Sequence, residues 1–206
     1  MPTTQSDGRQ IVGAHRFGGP AGNETLTSAA ALVLTILLAA EGVTILWLGD
    51  LLSAHMIIGL ALVPPVLLKL GSTGYRFVRY YTRSRLYRAK GPPLLGLRLL
   101  GPVLVVSTVV VFVTGVLLLI AGHREGTTLE LHKISFIVWG ACFAVHFLAH
   151  LPRAARSLRW DWIAPRRRQI RGAGLRLSLL VACVSAGAVL AVALLSPIGA
   201  WVRGPF

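Results

Sequence analysis

The sequence predicts an all-α integral membrane protein, a bundle of five transmembrane helices with its N-terminus cytoplasmic and its C-terminus outside. Three observations carry this expectation. The 206-residue chain is 54% hydrophobic with a mean hydropathy of +0.69, which is too apolar for an ordinary soluble domain. Five apolar runs, 26–49, 55–74, 97–121, 131–151 and 175–202, approach or exceed the ~20 residues that cross a hydrocarbon core as a helix. None alternates with period two, and an open sheet edge cannot face lipid, so each run reads as a helix.

Residues 1–25 are polar, glycine-bearing and without hydrophobic periodicity, which predicts a disordered cytoplasmic tail ahead of a single bundle over 26–206. The first run is too long for a signal-peptide core and no clear small-residue cleavage pattern follows it, so it is expected to be retained. Pro64-Pro65 is expected to kink the second helix. Pro197 is expected to end the fifth helix a few residues early. No loop holds enough residues to bury a core of its own, which excludes a soluble catalytic domain.

The formal charge of +14 is placed asymmetrically. Arg76, Arg79, Arg83, Arg85, Arg88, Lys90 and Arg98 cluster after the second run, and Arg153, Arg156, Arg159, Arg166, Arg167, Arg168, Arg171 and Arg176 after the fourth. The opposite connections carry Asp50, Arg124, Glu125 and Glu130. The positive-inside rule then sets the orientation and places the chain in the cell membrane, with the lipid bilayer as partner of the basic loops. No basic region forms a folded module, so no nucleic-acid partner is expected. Tyr75, Tyr80, Tyr81 and Tyr87 alternate with arginines, and Trp160 and Trp162 sit among Arg159 and Arg166; both groups read as interfacial anchors.

The chemistry-bearing residues are histidines. His55 opens the second run and His132 the fourth; both runs enter from the outside, so the two imidazoles fall at one depth near the outer boundary. His146 follows His132 by fourteen residues, on nearly the same helical face and ~21 Å along the axis. His150 is one turn further. A low-spin haem iron takes two axial nitrogens from facing helices, a need that His55 and His132 meet. Gly59 and Gly115 offer clearings where a macrocycle can lie against a helix. A histidine near the headgroups is also simply solvated, as expected for His15 and His123 in loops and for His150 at the interface. His146 and His150 have the spacing for zinc or copper, but no third ligand is visible nearby. Cys142 and Cys183 read as packing residues, and no Cys-x-x-Cys-His tract exists to attach haem covalently.

The run Leu131-His132-Lys133-Ile134-Ser135-Phe136-Ile137-Val138-Trp139-Gly140-Ala141-Cys142-Phe143-Ala144-Val145-His146, with a histidine opening the preceding even-numbered span, resembles bacterial membrane b-type cytochromes. That class includes cytochrome b561-like proteins and the cytochrome b subunits of membrane oxidoreductases, and the likeness covers the second to fourth spans. It implies electron transport from a quinol-like membrane donor to a redox partner protein, with haem b as cofactor. His55 and His132 would ligate an outer haem and His146 one side of a second, inner haem. The position that should supply the other inner ligand is Lys69, an uncommon haem ligand that must lose its proton to bind iron.

Glu41 lies within the first run about 12 Å below its outer end. It reads as a protonated or hydrogen-bonded bundle residue, or as a proton relay or quinol-binding group near the outer haem. Lys69 pairs with a carboxylate or snorkels inward, and its depth differs from that of Glu41 by ~10 Å, too much for a direct pair. Two functions of different classes therefore fit the sequence: an electron-carrying cytochrome with one or two haems, and a cofactor-free transporter or accessory subunit whose histidines and Glu41 handle protons.

Overall fold

The computed structural model describes residues 19–82, 95–122, 126–163 and 172–203. Its described residues form six helices: α1 (Gly19–Leu46), α2 (Leu48–Tyr81), α3 (Leu95–Ala121), α4 (Thr127–Ile163), α5 (Ala173–Ala193) and α6 (Leu195–Arg203). The first five are long and apolar enough to cross a membrane. Outward-facing side chains such as Ile36, Leu99, Ile120 and Ile137 give them apolar exteriors.

α1 and α2 form one antiparallel hairpin, turned at Trp47, whose backbone leaves the helical region (φ −126°, ψ 47°). α3 and α4 form a second hairpin. Its turn includes Gly122 and Gly126 at φ +68° and +94°, a left-handed backbone that glycine adopts without a Cβ clash. α5 packs along α2 and touches α1. A Cβ on Gly187 of α5 would stand 2.3 Å from the carbonyl oxygen of Ala61, so only glycine lets the two backbones cross this closely.

The hairpins are joined at both ends. At one end α6 contacts α2, α3 and α5. Its Ile198, 2% exposed, packs with Leu60 and Ala191 among Met56, Ile57 and Leu119. Trp201 Nε1 in the same helix donates to the carbonyl of Leu118, 3.0 Å away. At the other end Arg98 of α3 hydrogen-bonds the Tyr81 hydroxyl of α2 and stands 5.7 Å over its ring. Between these ties α2 and α4, the helices that carry the histidines, scarcely touch.

Several sequence expectations are corrected. The first helix starts at Gly19, so 19–25, expected in the tail, are helical; residues 1–18 lie outside the described residues. The first helix also stops at Leu46, because the chain already turns at Trp47. α2 stays helical through Pro64 and Pro65 to Tyr81, and its one interior departure from helical dihedrals is at Leu51 (φ −106°, ψ 17°). The fifth apolar run is two helices, since the backbone breaks at Leu194 (φ −103°, ψ 10°) and restarts. The helical part thus stops early, as expected, with Ala193 four residues before Pro197, the residue whose carbonyl a proline ring crowds; Pro197 itself falls in the first turn of α6, where its missing N–H has no intrahelical partner to lose. α4 continues to Ile163, well past the expected 151. His15, Arg83, Arg85, Tyr87, Arg88, Lys90, His123, Arg124, Glu125, Arg166, Arg167, Arg168 and Arg171 lie outside the described residues.

Candidate functional site

His55 and His132 come to the same end of the bundle, the end closed by α6, and within electrostatic reach of each other. Each ring is held through Nδ1 by the helix beside it. His55 Nδ1 lies 2.9 Å from Oε1 of Glu41 on α1 and 3.3 Å from the Thr44 hydroxyl one turn on. Thr44, buried, donates that hydroxyl to the Glu41 carbonyl at 2.6 Å and also stands 3.5 Å from Oε2. Glu41 is thus a carboxylate only 12% exposed in its side chain, partnered by an imidazole that is itself 24% exposed. A charge so withdrawn from solvent needs such a partner.

His132 is held in the same way from α3. Its Nδ1 lies 3.1 Å from the carbonyl of Val111 and 3.0 Å from the Thr114 hydroxyl, and Thr114 is 3% exposed. A carbonyl only accepts, so Nδ1 carries the proton and Nε2 is the basic nitrogen. The same tautomer suits His55, whose Nδ1 faces a carboxylate. Among the described residues neither Nε2 makes a hydrogen bond.

The two glycines read as clearings are filled by these groups. A Cβ on Gly115 would lie 3.2 Å from Cε1 of His132, and one on Gly59 would lie 3.4 Å from Oε1 of Glu41. Both let a polar side chain settle against a neighbouring helix.

Toward the other end of α4 the arrangement differs. Among the described residues His146 Nδ1 is buried without a hydrogen-bond partner. His150 stacks on His146 (centroids 4.3 Å apart, planes at 23°) and turns its own Nδ1 to the His146 carbonyl at 2.9 Å. Lys69 is within electrostatic reach of His146, yet its ammonium donates to the carbonyl of Thr27 on α1 at 3.0 Å. There it belongs to a polar cluster in which Thr27 bonds the Asn23 carbonyl and the Ser72 hydroxyl, and Asn23 bonds the Ser72 carbonyl. Glu41 and Lys69 are not paired: one bonds His55, the other Thr27. Cys142 and Cys183 are free thiols. Among the described residues no group of three or more His, Cys, Asp or Glu gathers to hold a metal ion.

The structure adds participants not singled out in the sequence. Thr44 and Thr114 brace the two imidazoles. Phe136, Trp139, Phe143 and Phe147 stack in series on the histidine face of α4, with centroids 6.0, 4.9 and 5.7 Å apart. The threonines lie three residues after Glu41 and beside Gly115, but nothing in those spacings shows which ring they reach. The aromatic series was readable as an i, i+3, i+4 stripe.

No family model, no curated protein and no solved structure matches this chain.

Proposed function

We propose that the protein is a membrane b-type cytochrome in which His55 and His132 would hold a single haem b, each through its Nε2. The observation that supports this most is the shared state of the two rings. Each has its Nδ1–H given to an acceptor on the adjacent helix, the outer-shell arrangement that orients metal-ligating histidines and raises their basicity. Each leaves Nε2 uncommitted, and the helices that carry them hardly pack together, which accords with a flat macrocycle between them.

The donor set fits haem at this level and fits it poorly at the other. Lys69 donates to Thr27, and among the described residues the His146 Nδ1 has no acceptor, which supports one haem over two. Bound haem supplies reversible one-electron transfer; the chain supplies the ligands, their orientation and an apolar shell. With the basic loops cytoplasmic, the site lies near the outer surface, positioned to pass electrons from a quinol-like donor in the bilayer to a redox partner protein. The chain then serves electron transport in the cell membrane as a carrier and performs no chemistry on a soluble substrate.

The test is a dithionite-reduced minus oxidised spectrum of detergent-purified protein, with pyridine-haemochrome quantification and the variants His55→Ala and His132→Ala. Sharp b-type bands at one haem per chain, lost in both variants, are expected. A colourless wild type from haem-replete cells would overturn the proposal in favour of a cofactor-free transporter or accessory subunit.

A further inference from the structure

The two histidines are braced alike but not equally. The acceptor facing His132 is a neutral backbone carbonyl, whereas the acceptor facing His55 is the carboxylate of Glu41 at 2.9 Å. We infer that Glu41 is a positioning residue that sets the reduction potential of the site, acting through His55; the inference rests on the haem-binding reading above.

Two physical effects point the same way. An acceptor with full negative charge draws the Nδ1 proton more strongly than a carbonyl does, so Nε2 of His55 becomes the more electron-donating ligand and favours the ferric state. The charge also acts directly. Glu41 lies in the apolar span of α1, largely withdrawn from solvent, and its field is weakly screened, so it stabilises the oxidised centre over the reduced one. Both lower the potential.

The local build suits such a role. The Thr44 hydroxyl bonds the Glu41 carbonyl and stands beside Oε2 as well as the His55 nitrogen, which limits where the carboxylate can point. Gly59 lies one turn beyond His55 on α2, and its missing Cβ leaves the space that Oε1 occupies. No lysine or arginine of the described residues forms an ion pair with Glu41; among those residues its carboxylate meets His55 and Thr44.

The experiment is a spectroelectrochemical titration of the intact protein in detergent at one pH, comparing wild type with Glu41→Gln, Glu41→Asp and Glu130→Gln. Gln keeps the shape and loses the charge, and Asp keeps the charge but withdraws it from Nδ1. Glu130 is 63% exposed in its side chain and bridged to Lys133 at 3.2 Å, so its variant tests net charge alone. A positive shift of the midpoint in Glu41→Gln, smaller in Glu41→Asp and absent in Glu130→Gln, is expected. If Glu41→Gln loses the haem, the shift in Glu41→Asp decides. An unmoved midpoint in the Glu41 variants that hold haem, an equal shift in Glu130→Gln, or haem lost from both Glu41 variants would overturn the inference. A wild type without b-type bands would instead overturn the haem reading beneath it.

Discussion

The imidazole of His132 occupies the notch that Gly115 leaves in α3: a Cβ at Gly115 would stand 3.2 Å from its Cε1 and 3.7 Å from its Nδ1. Gly115→Ala therefore pushes the ring by a few tenths of an ångström, and Gly115→Val by more, straining the bond from Nδ1 to Val111. Alanine is the better helix former by ~1 kcal/mol, so α3 itself should not suffer in Gly115→Ala. The expected result is unchanged helicity by circular dichroism with weakened haem retention in Gly115→Ala and lost b-type bands in Gly115→Val. Full haem content in the valine variant would show that the ring position is not required.

Thr114→Val removes the hydroxyl beside His132 while keeping the shape of the side chain. The Val111 carbonyl still accepts from Nδ1, so the ring keeps one of its two neighbours. On the proposed haem reading Thr114 is an outer-shell group, and loss of such a group costs about 10- to 100-fold in metal affinity. Haem retention through dilution and gel filtration measures it, with a deficit expected that is smaller than that of His132→Ala.

Much of this site was legible before the structure, for physical reasons that differ by residue. Hydrophobic length alone marks the spans, and antiparallel traverses place His55 and His132 at one end whatever the packing. Pro197 signalled that the fifth helix stops early, but the run on both sides of Leu194 is uniformly apolar, so only the backbone shows that a new helix starts at Leu195. The roles of Gly59 and Gly115 were read as room for a ligand, yet each is filled by a side chain from a neighbouring helix. Such partners are set by helix rotation about the long axis, which one sequence does not determine. The Trp201 bond to Leu118 spans 83 residues and has no local signature.

At the far end of α4 the opposite outcome is expected. Lys69→Ala removes the ammonium that bonds Thr27, and His146→Ala removes the ring with the unpartnered Nδ1. On the proposed single-haem reading, both variants should keep one haem per chain by pyridine-haemochrome assay. A wild-type ratio near two that falls to one in His146→Ala would instead place a second haem there.

Gly187 tests the frame on which His55 is carried. A Cβ at this position would meet the Ala61 carbonyl oxygen at 2.3 Å, a backbone atom that cannot swing aside, so Gly187→Ala must part α5 from α2. Overpacking of this sort costs about 1–3 kcal/mol. The separation would also loosen the cluster of Leu60, Ala191 and Ile198 through which α6 ties the two hairpins together. Gly174 in the same helix is the control, because a Cβ there meets nothing within 4 Å. Gly174→Ala should match the wild type or gain up to ~1 kcal/mol from helix propensity. Thermal unfolding in detergent should then show a lowered midpoint for Gly187→Ala alone, with haem released at or below that midpoint, since His55 and the Ala61 contact share α2.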